Sequence, residues 1–539
     1  MDYYGAFHDF LPTVKSTRAK RRIQQIPKMS PDEKQELLEE YHPDYRVSGF
    51  RELRVGQNKG EMAPHELVDL LEAPSRLNAV PLDVAHPHRQ VEILVIGGGG
   101  GGSAAALAAR EAGAGVLMAT KLRHGDSNTI MAEGGIGAAT RPDDSPAIHY
   151  VDTIRGGRFA NLPDLVRALV TDAPGVVAWL ESLGVLFDRV EGGNILTHTP
   201  AGHSRPRSHS CRDMTGLEIM RVLRDEMQNA QIPVLEFSPV VELLIDPHGS
   251  CAGAVLLNLD TRLHMVVHAK KTILATGGIG RLHIQGFPTT NHYGATADGL
   301  VVAYHAGARL LYADSIQYHP TGVVWPEQML GLLISEHLRA MGAQLVDREG
   351  ERFINELETR DAISSAIIRT CSTRGRGVPT PSGRQGIWLD TPLIDLLHGQ
   401  GTIERQFTGI HHRFLKFGID VTQEPILIYP AQHYQNGGVA VDAWSATAIP
   451  NLYAVGEVAG GVHGRNRLGA NSMVDILVFG RRAGRHAAET LTPDWPGPAT
   501  LHHVQAYHAE LEKAGVRESA PAPLLFPDYG PANRVEAVR

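Results

Sequence analysis

Six consecutive glycines, Gly97 to Gly102, stand directly behind Val91-Glu92-Ile93-Leu94-Val95-Ile96. A short β-branched run of this kind suits a strand buried in a parallel sheet. An alanine-rich stretch from Ser103 to about Glu111 then reads as a helix, and Gly115 to Ala119 as a second strand. This is a βαβ opening. Gly97-x-Gly99-x-x-Gly102 has the spacing of a nucleotide-binding turn. The first glycine permits the tight turn, the second lets a pyrophosphate approach the backbone, and the third lets helix pack on strand. The open amides at the helix start would face the phosphates. Glycine runs also occur as flexible loops, and it is the flanking strand and helix that select the nucleotide reading.

The carboxylate that closes the second strand of an NAD site is missing, since the chain reads Met118-Ala119-Thr120-Lys121 there. Further on, Ala275-Thr276-Gly277-Gly278 follows a strand at Thr272 to Leu274. Tyr453-Ala454-Val455-Gly456-Glu457 ends another strand in a carboxylate able to hold a second ribose-like chain. Together they favour FAD over NAD. Leu162 to Leu183 has a helical pattern, helices and strands are expected to alternate to about residue 280, and Leu452 to Gly484 returns to strand, turn and helix.

The rest of the chain narrows the class. At 539 residues it should hold two to four domains, at roughly 150 residues each. A formal charge of −8 argues against nucleic acid as the main partner. The only cysteines are Cys211, Cys251 and Cys371, far apart and without CxxC spacing. An iron–sulfur cluster usually takes about four thiolates, so neither a cluster nor a disulfide framework is expected. The start, MDYYGAFHDF, lacks the basic-then-apolar pattern of a signal peptide, and no apolar run approaches the ~20 residues of a membrane helix. A cytoplasmic location is expected, with any membrane association made through a partner. Residues 1–90 are charged, with a basic cluster at Lys15, Arg18, Lys20, Arg21 and Arg22 and a helix start at Ser30-Pro31-Asp32-Glu33. Two readings stand for this region: a docking arm, or a solvated extension wrapped on its own domain. The tail, from about residue 492, is rich in Pro and Ala, with one helix near His502 to Lys513.

Beyond the glycine turn the motifs are Ala132-Glu133-Gly134-Gly135, Asp213-x-Thr215-Gly216, Thr296-Ala297-Asp298-Gly299, His319-Pro320-Thr321-Gly322, Ser335-Glu336-x-x-Arg339, Thr359-Arg360-Asp361, His433-Tyr434-x-x-Gly437-Gly438 and Arg467-Leu468-Gly469-x-Asn471-Ser472. In these, and in their order, the chain from about Val91 to Thr490 resembles the flavoprotein subunits of succinate dehydrogenase and fumarate reductase. The resemblance implies an α/β fold: a discontinuous Rossmann-like FAD-binding domain (91–318 and 433–490) with an inserted α+β capping domain (319–432), and a truncated helical tail (491–539). It implies that Gly97, Gly99, Gly102, Lys121, Ser127, Asn128, Thr129, Gly134, Gly135, Ala275, Thr276, Gly277, Asp298, Glu457, Asn471 and Ser472 surround FAD.

The same resemblance implies the chemistry, hydride exchange between FAD N5 and a C4 dicarboxylate such as fumarate or succinate. His319, His433 and Arg467 match the family's carboxylate clamp, in which arginine offers a bidentate fork and histidines donate at the other end. Ser335 stands where the family usually has Thr. Arg360 matches the proton-donating arginine, an unusual acid, and Glu336 and Arg339 match the relay that resupplies it. An iron–sulfur partner subunit would exchange electrons with the flavin.

Two departures matter. The family's membrane-bound members attach FAD through a histidine in Ser-His-Thr, and here the triplet is Ser127-Asn128-Thr129. An amide cannot make that bond, so non-covalent FAD is expected, at a lower potential that favours fumarate reduction. Where L-aspartate oxidase, a soluble relative, carries Glu-Gly-Gly-His, this chain reads Pro200-Ala201-Gly202-His203, which counts against that alternative. A non-catalytic flavin-binding assembly subunit would have no need of His319, Arg360, His433 and Arg467 together.

Overall fold

The structure, a computed structural model, describes residues 3–77, 80, 82–516 and 520–527. Its largest sheet runs Val234–Leu235, Val116–Ala119, Arg89–Ile96 and His264–Leu274, all parallel. Beyond His264–Leu274 the edge divides. The first half of that strand pairs antiparallel with Cys251–Leu257, which pairs with Val240–Ile245, while the second half pairs parallel with Leu452–Ala454. Alternate residues enter opposite cores: Leu94, Ile96, Leu117 and Ala119 on one face, Ile93, Val95, Val116 and Met118 on the other. That is the period of two expected of strands buried on both sides.

Two local expectations need correcting. The first helix spans Gly100–Glu111, starting ahead of Ser103, so Gly100, Gly101 and Gly102 form its first turn. The alternation of helix and strand fails from Val240 to Leu274, where three antiparallel strands follow one another. Their connections, Asp246 to Ser250 and Asn258 to Leu263, are too short for a crossover helix.

A second sheet is antiparallel throughout, in the order Ile316–Val323, Ile426–Gln435, Gln385–Asp390 and Gln344–Val346. The helix Arg360–Ser372 lays Ile363, Ala366, Ile367 and Cys371 into the core of that unit. The outer strands start before residue 319 and end after 432, so His319 and His433 sit inside strands and not at junctions.

The N-terminal region is neither free nor merely solvated. Tyr4, Phe7, Leu11, Val14 and Leu37 belong to the second unit's core, while Leu53, Val55, Leu67, Val68 and Leu71 belong to a core of the first. Arg21 is fully buried and donates to Asp390 at 2.8 Å and Gln344 at 2.7 Å. Arg18 forks onto Asp390 and Lys20 meets Glu351. Of the basic cluster, Lys15 and Arg22 occupy exposed helix positions. The expected helix start is present: Ser30 and Glu33 form a reciprocal capping box. At the other end, the His502–Lys513 helix is followed by residues 520–527, which return across the first unit: the Ala522 amide donates to Pro74 O and Thr296 Oγ1 to Leu525 O.

Candidate functional site

The carboxyl ends of the parallel strands open into one cavity, the usual ligand position in such a sheet. It is lined by Gly97 and Gly99 after the first strand, by Lys121 after the second, by Ala275, Thr276 and Gly277 after the third, and by Glu457 after the fourth. Ser127, Asn128, Thr129, Gly134, Gly135, Asp298 and Ser472 also line it. The same cavity continues to His319, Ser335, Glu336, Arg360, His433 and Arg467. Gly102 and Asn471 lie outside the lining. Gly102 packs the helix onto the strand, since a Cβ there would lie 1.9 Å from Gly97 O. Asn471 is turned away: His149 and Thr153 hold its side-chain amide, so it acts behind the wall and not on the cofactor.

The nucleotide end fits FAD on its own chemistry. Gly97 has φ +123°, and a Cβ there would meet Ala275 O at 2.2 Å, which leaves the backbone free to approach a pyrophosphate. The Gly100–Glu111 helix has no side-chain cap, so its first amides face the cavity. Thr276 Oγ1 is buried at the lining without a partner. Lys121 Nζ bonds Asp298 and Thr296, both at 2.7 Å, and carries the Phe526 ring 5.9 Å away. Burial raises the Glu457 carboxyl to about 7, although Gln435 N donates to it at 3.0 Å. Asn128 is fully engaged: its amide donates to Asn291 Oδ1 at 2.6 Å, and its oxygen accepts from His292 N at 2.6 Å.

The far end is cationic. Arg467 and Arg360 both donate to one acceptor, Gln317 Oε1, at 2.9 and 3.1 Å. The Gln317 amide donates in turn to Arg467 O at 2.6 Å. Burial and the like charge of Arg360 lower Arg467 to about 9, while its guanidinium stacks 4.4 Å from the Tyr434 ring. Arg467 Nε is buried without a partner. Arg360 Nε donates to Glu336 Oε2 at 2.8 Å, and the Arg339 guanidinium reaches the same oxygen at 3.5 Å. Burial alone would raise Glu336, but Arg360 and Arg339 outweigh it and hold the carboxyl at about 2. Arg339 stands behind Glu336, outside the cavity lining.

The two histidines are held by their Nδ1 atoms. His319 Nδ1 accepts from Thr321 N at 3.3 Å, and His433 Nδ1 meets Thr290 Oγ1 at 2.7 Å, with the rings 5.0 Å apart. An Nδ1 that accepts a backbone proton assigns the hydrogen of His319 to Nε2. Burial and then the neighbouring arginines push both imidazoles well below their ordinary range, so both are neutral donors here. Ser335 caps the short Glu336–Ala340 helix, accepting from His337 N at 3.3 Å. Gln317, Thr290 and Tyr434 were missed from the sequence. Gln317 sits two residues before His319 in the same strand, on the same face, which is the one signal that points to it.

The FAD binding domain family matches residues 92–473. One subunit of the CoM/CoB fumarate reductase of Methanothermobacter marburgensis is 38% identical over 74% of this chain and 73% of its own length. L-aspartate oxidase of Streptomyces coelicolor is 36% identical over 76% of this chain and 71% of its own. Among solved structures, a chain of the Escherichia coli quinol fumarate reductase superposes with a TM-score of 0.69 at 30% identity, over 79% of this chain and 74% of that one. The chain is an FAD-dependent oxidoreductase and belongs to the family of fumarate reductase and succinate dehydrogenase flavoproteins and L-aspartate oxidases.

Proposed function

We propose that the chain is the flavoprotein subunit of a fumarate reductase or succinate dehydrogenase type of complex. The observation that carries this is the convergence of Arg360 and Arg467 on Gln317, facing two neutral imidazoles at the closed end of the flavin cavity. A C4 dicarboxylate fits that charge pattern. Arg467, with its unpartnered Nε, takes one carboxylate, and His319 and His433 donate to the other. Bound FAD supplies hydride chemistry next to this clamp. Arg360 gives the proton to the opposite carbon and stabilises the carbanion charge that develops there. Glu336 and Arg339, in line behind it, return the proton.

The flavin is held without a covalent bond, because Asn128 occupies the linking position and its amide already bridges Asn291 and His292. Acid precipitation should release all the yellow colour. Fluorescence that stays with the denatured polypeptide contradicts this. A separate iron–sulfur protein is the proposed electron partner, consistent with the complexes named among the relatives. The test of the reaction is fumarate reduction by reduced viologen. Oxygen consumption with L-aspartate instead, and none with fumarate, favours the oxidase reading. That reading draws on the 36% identity to L-aspartate oxidase, but Pro200 offers no carboxylate to a substrate amine.

A further inference from the structure

The candidate site straddles a seam. Gln317, His319, Glu336, Arg339 and Arg360 come from the second unit, and Arg467 and the flavin turns from the first. Arg360 opens its helix at the end of an irregular stretch from Arg352 to Thr359 that has little regular hydrogen bonding of its own. A shift of about 1 Å in a reacting group can cost on the order of 100-fold in rate, so something must hold that stretch in place.

Residues 24–45 hold its outer side. Arg352 donates to Gln24 O at 2.7 Å and Asn355 to Ile26 O at 2.8 Å. Glu358 accepts from Met29 N at 2.7 Å and pairs with Lys34 at 2.8 Å. Asp44 Oδ2 accepts from Ile316 N at 3.1 Å, at the start of the strand that carries Gln317 and His319. The inner side is held across the seam by Arg158, from the turn after the Pro146–Gly156 helix. Its Nη2 and Nε donate to Asp361 Oδ2 at 2.6 and 3.2 Å, and its Nη1 donates to Tyr45 OH at 3.2 Å. Asp361 is the immediate neighbour of Arg360, and its side chain is 5% exposed. Arg158 has φ +58°, a backbone conformation that a residue with a Cβ adopts only when its surroundings demand it. One arginine therefore ties three parts together: the first unit that bears it, the N-terminal region through Tyr45, and the second unit through Asp361.

We propose that Arg158 is a positioning residue for Arg360. With Tyr45 it clasps the Arg352–Asp361 stretch, and so fixes the proton donor against the half of the site that belongs to the flavin unit. The effect on rate rests on the reaction proposed above; the clasp itself does not.

The experiment uses the full flavin-loaded chain as wild type, Arg158→Ala, Arg158→Lys and Tyr45→Phe. Hydrogen exchange is followed in peptides covering 352–372, alongside flavin content and viologen-driven fumarate reduction. Arg158→Ala should speed exchange in 352–362 about tenfold and lower kcat about tenfold or more, with KM within a few-fold and flavin retained. Arg158→Lys keeps a cation on Asp361 but loses the fork to Tyr45, so it should recover part of both effects, and Tyr45→Phe should be milder than either. Unchanged exchange and kcat in Arg158→Ala overturns the proposal. So does loosening spread evenly over the chain with no recovery in Arg158→Lys, which marks a purely structural pair. Absence of fumarate reduction in wild type overturns the reaction instead, and the exchange comparison still decides the clasp.

Discussion

At the nucleotide end the cavity wall is largely backbone, whereas at the far end it is largely charged side chains. The glycine turn works through atoms that are absent: a Cβ at Gly97 would lie 2.2 Å from Ala275 O. The cationic end works through atoms that are present, and each is held by a partner outside the substrate space, Gln317 for both arginines, Thr321 and Thr290 for the histidines. The first kind of wall tolerates no addition and the second no deletion. Substitutions at the two ends should therefore separate flavin binding from turnover.

The sharpest separation is expected at Arg360→Ala. General acids contribute typically about 10²- to 10⁴-fold, and the loss here should reach the upper end because the same cation meets developing charge. Flavin content, read by absorbance, should be unchanged. Flavin loss in this variant, or turnover within a few-fold of wild type, breaks the comparison. Gln317→Leu comes next. It frees both guanidiniums at once, and hydrogen bonds to charged groups are worth about 1.5–3 kcal/mol each, so kcat/KM for fumarate should fall about 10- to 100-fold with flavin retained. At the other end, Gly97→Ala should weaken FAD about tenfold or more, because it adds both a clash and a strained φ. The fraction that still carries flavin should keep its KM for fumarate, as titration of the flavin-loaded variant would show. The smallest effect concerns pH. Glu457 is raised by burial from an ordinary 4.5 to about 7, so its contribution to stability is full below about 4.5 and is lost as pH rises through about 7. Melting of the flavin-free chain followed from pH 4.5 to 8 should show that decline, and Glu457→Gln should flatten it.

The nucleotide end was also the more legible from sequence, for the same reason. A glycine that must lack a Cβ is written in its own letter, and Gly97 to Gly102 after an apolar strand leaves few alternatives. The charged end needs partners that sequence does not show. Arg360, Glu336 and Arg339 could be named from their motifs, but Gln317 reads as one more polar residue in a strand until the two arginines fold onto it. Asn471, named from the motif Arg467-Leu468-Gly469-x-Asn471-Ser472, bonds His149 behind the wall. The basic cluster near residue 20 reads as solvated because Asp390, which takes both Arg18 and Arg21, lies far along the chain. The antiparallel arm from Val240 to Leu274 escaped notice because Val240–Ile245 is buried at every position and shows no alternation to read.

The divided edge of the large sheet has a consequence for how the molecule comes into being. The strand His264–Leu274 finds its parallel neighbour, Leu452–Ala454, only after the whole second unit has been made. A ribosome therefore releases the second unit as one uninterrupted stretch while the flavin sheet still waits for its last strand. Contacts so distant in sequence form slowly, and the turn that bears Glu457 arrives with them. Flavin then favours the completed sheet by mass action, by about 2.7 kcal/mol at a hundredfold excess over its Kd. A chain made where flavin is scarce should accumulate with the Ile316–Gln435 stretch protected from protease and the Leu452–Glu489 stretch open to it.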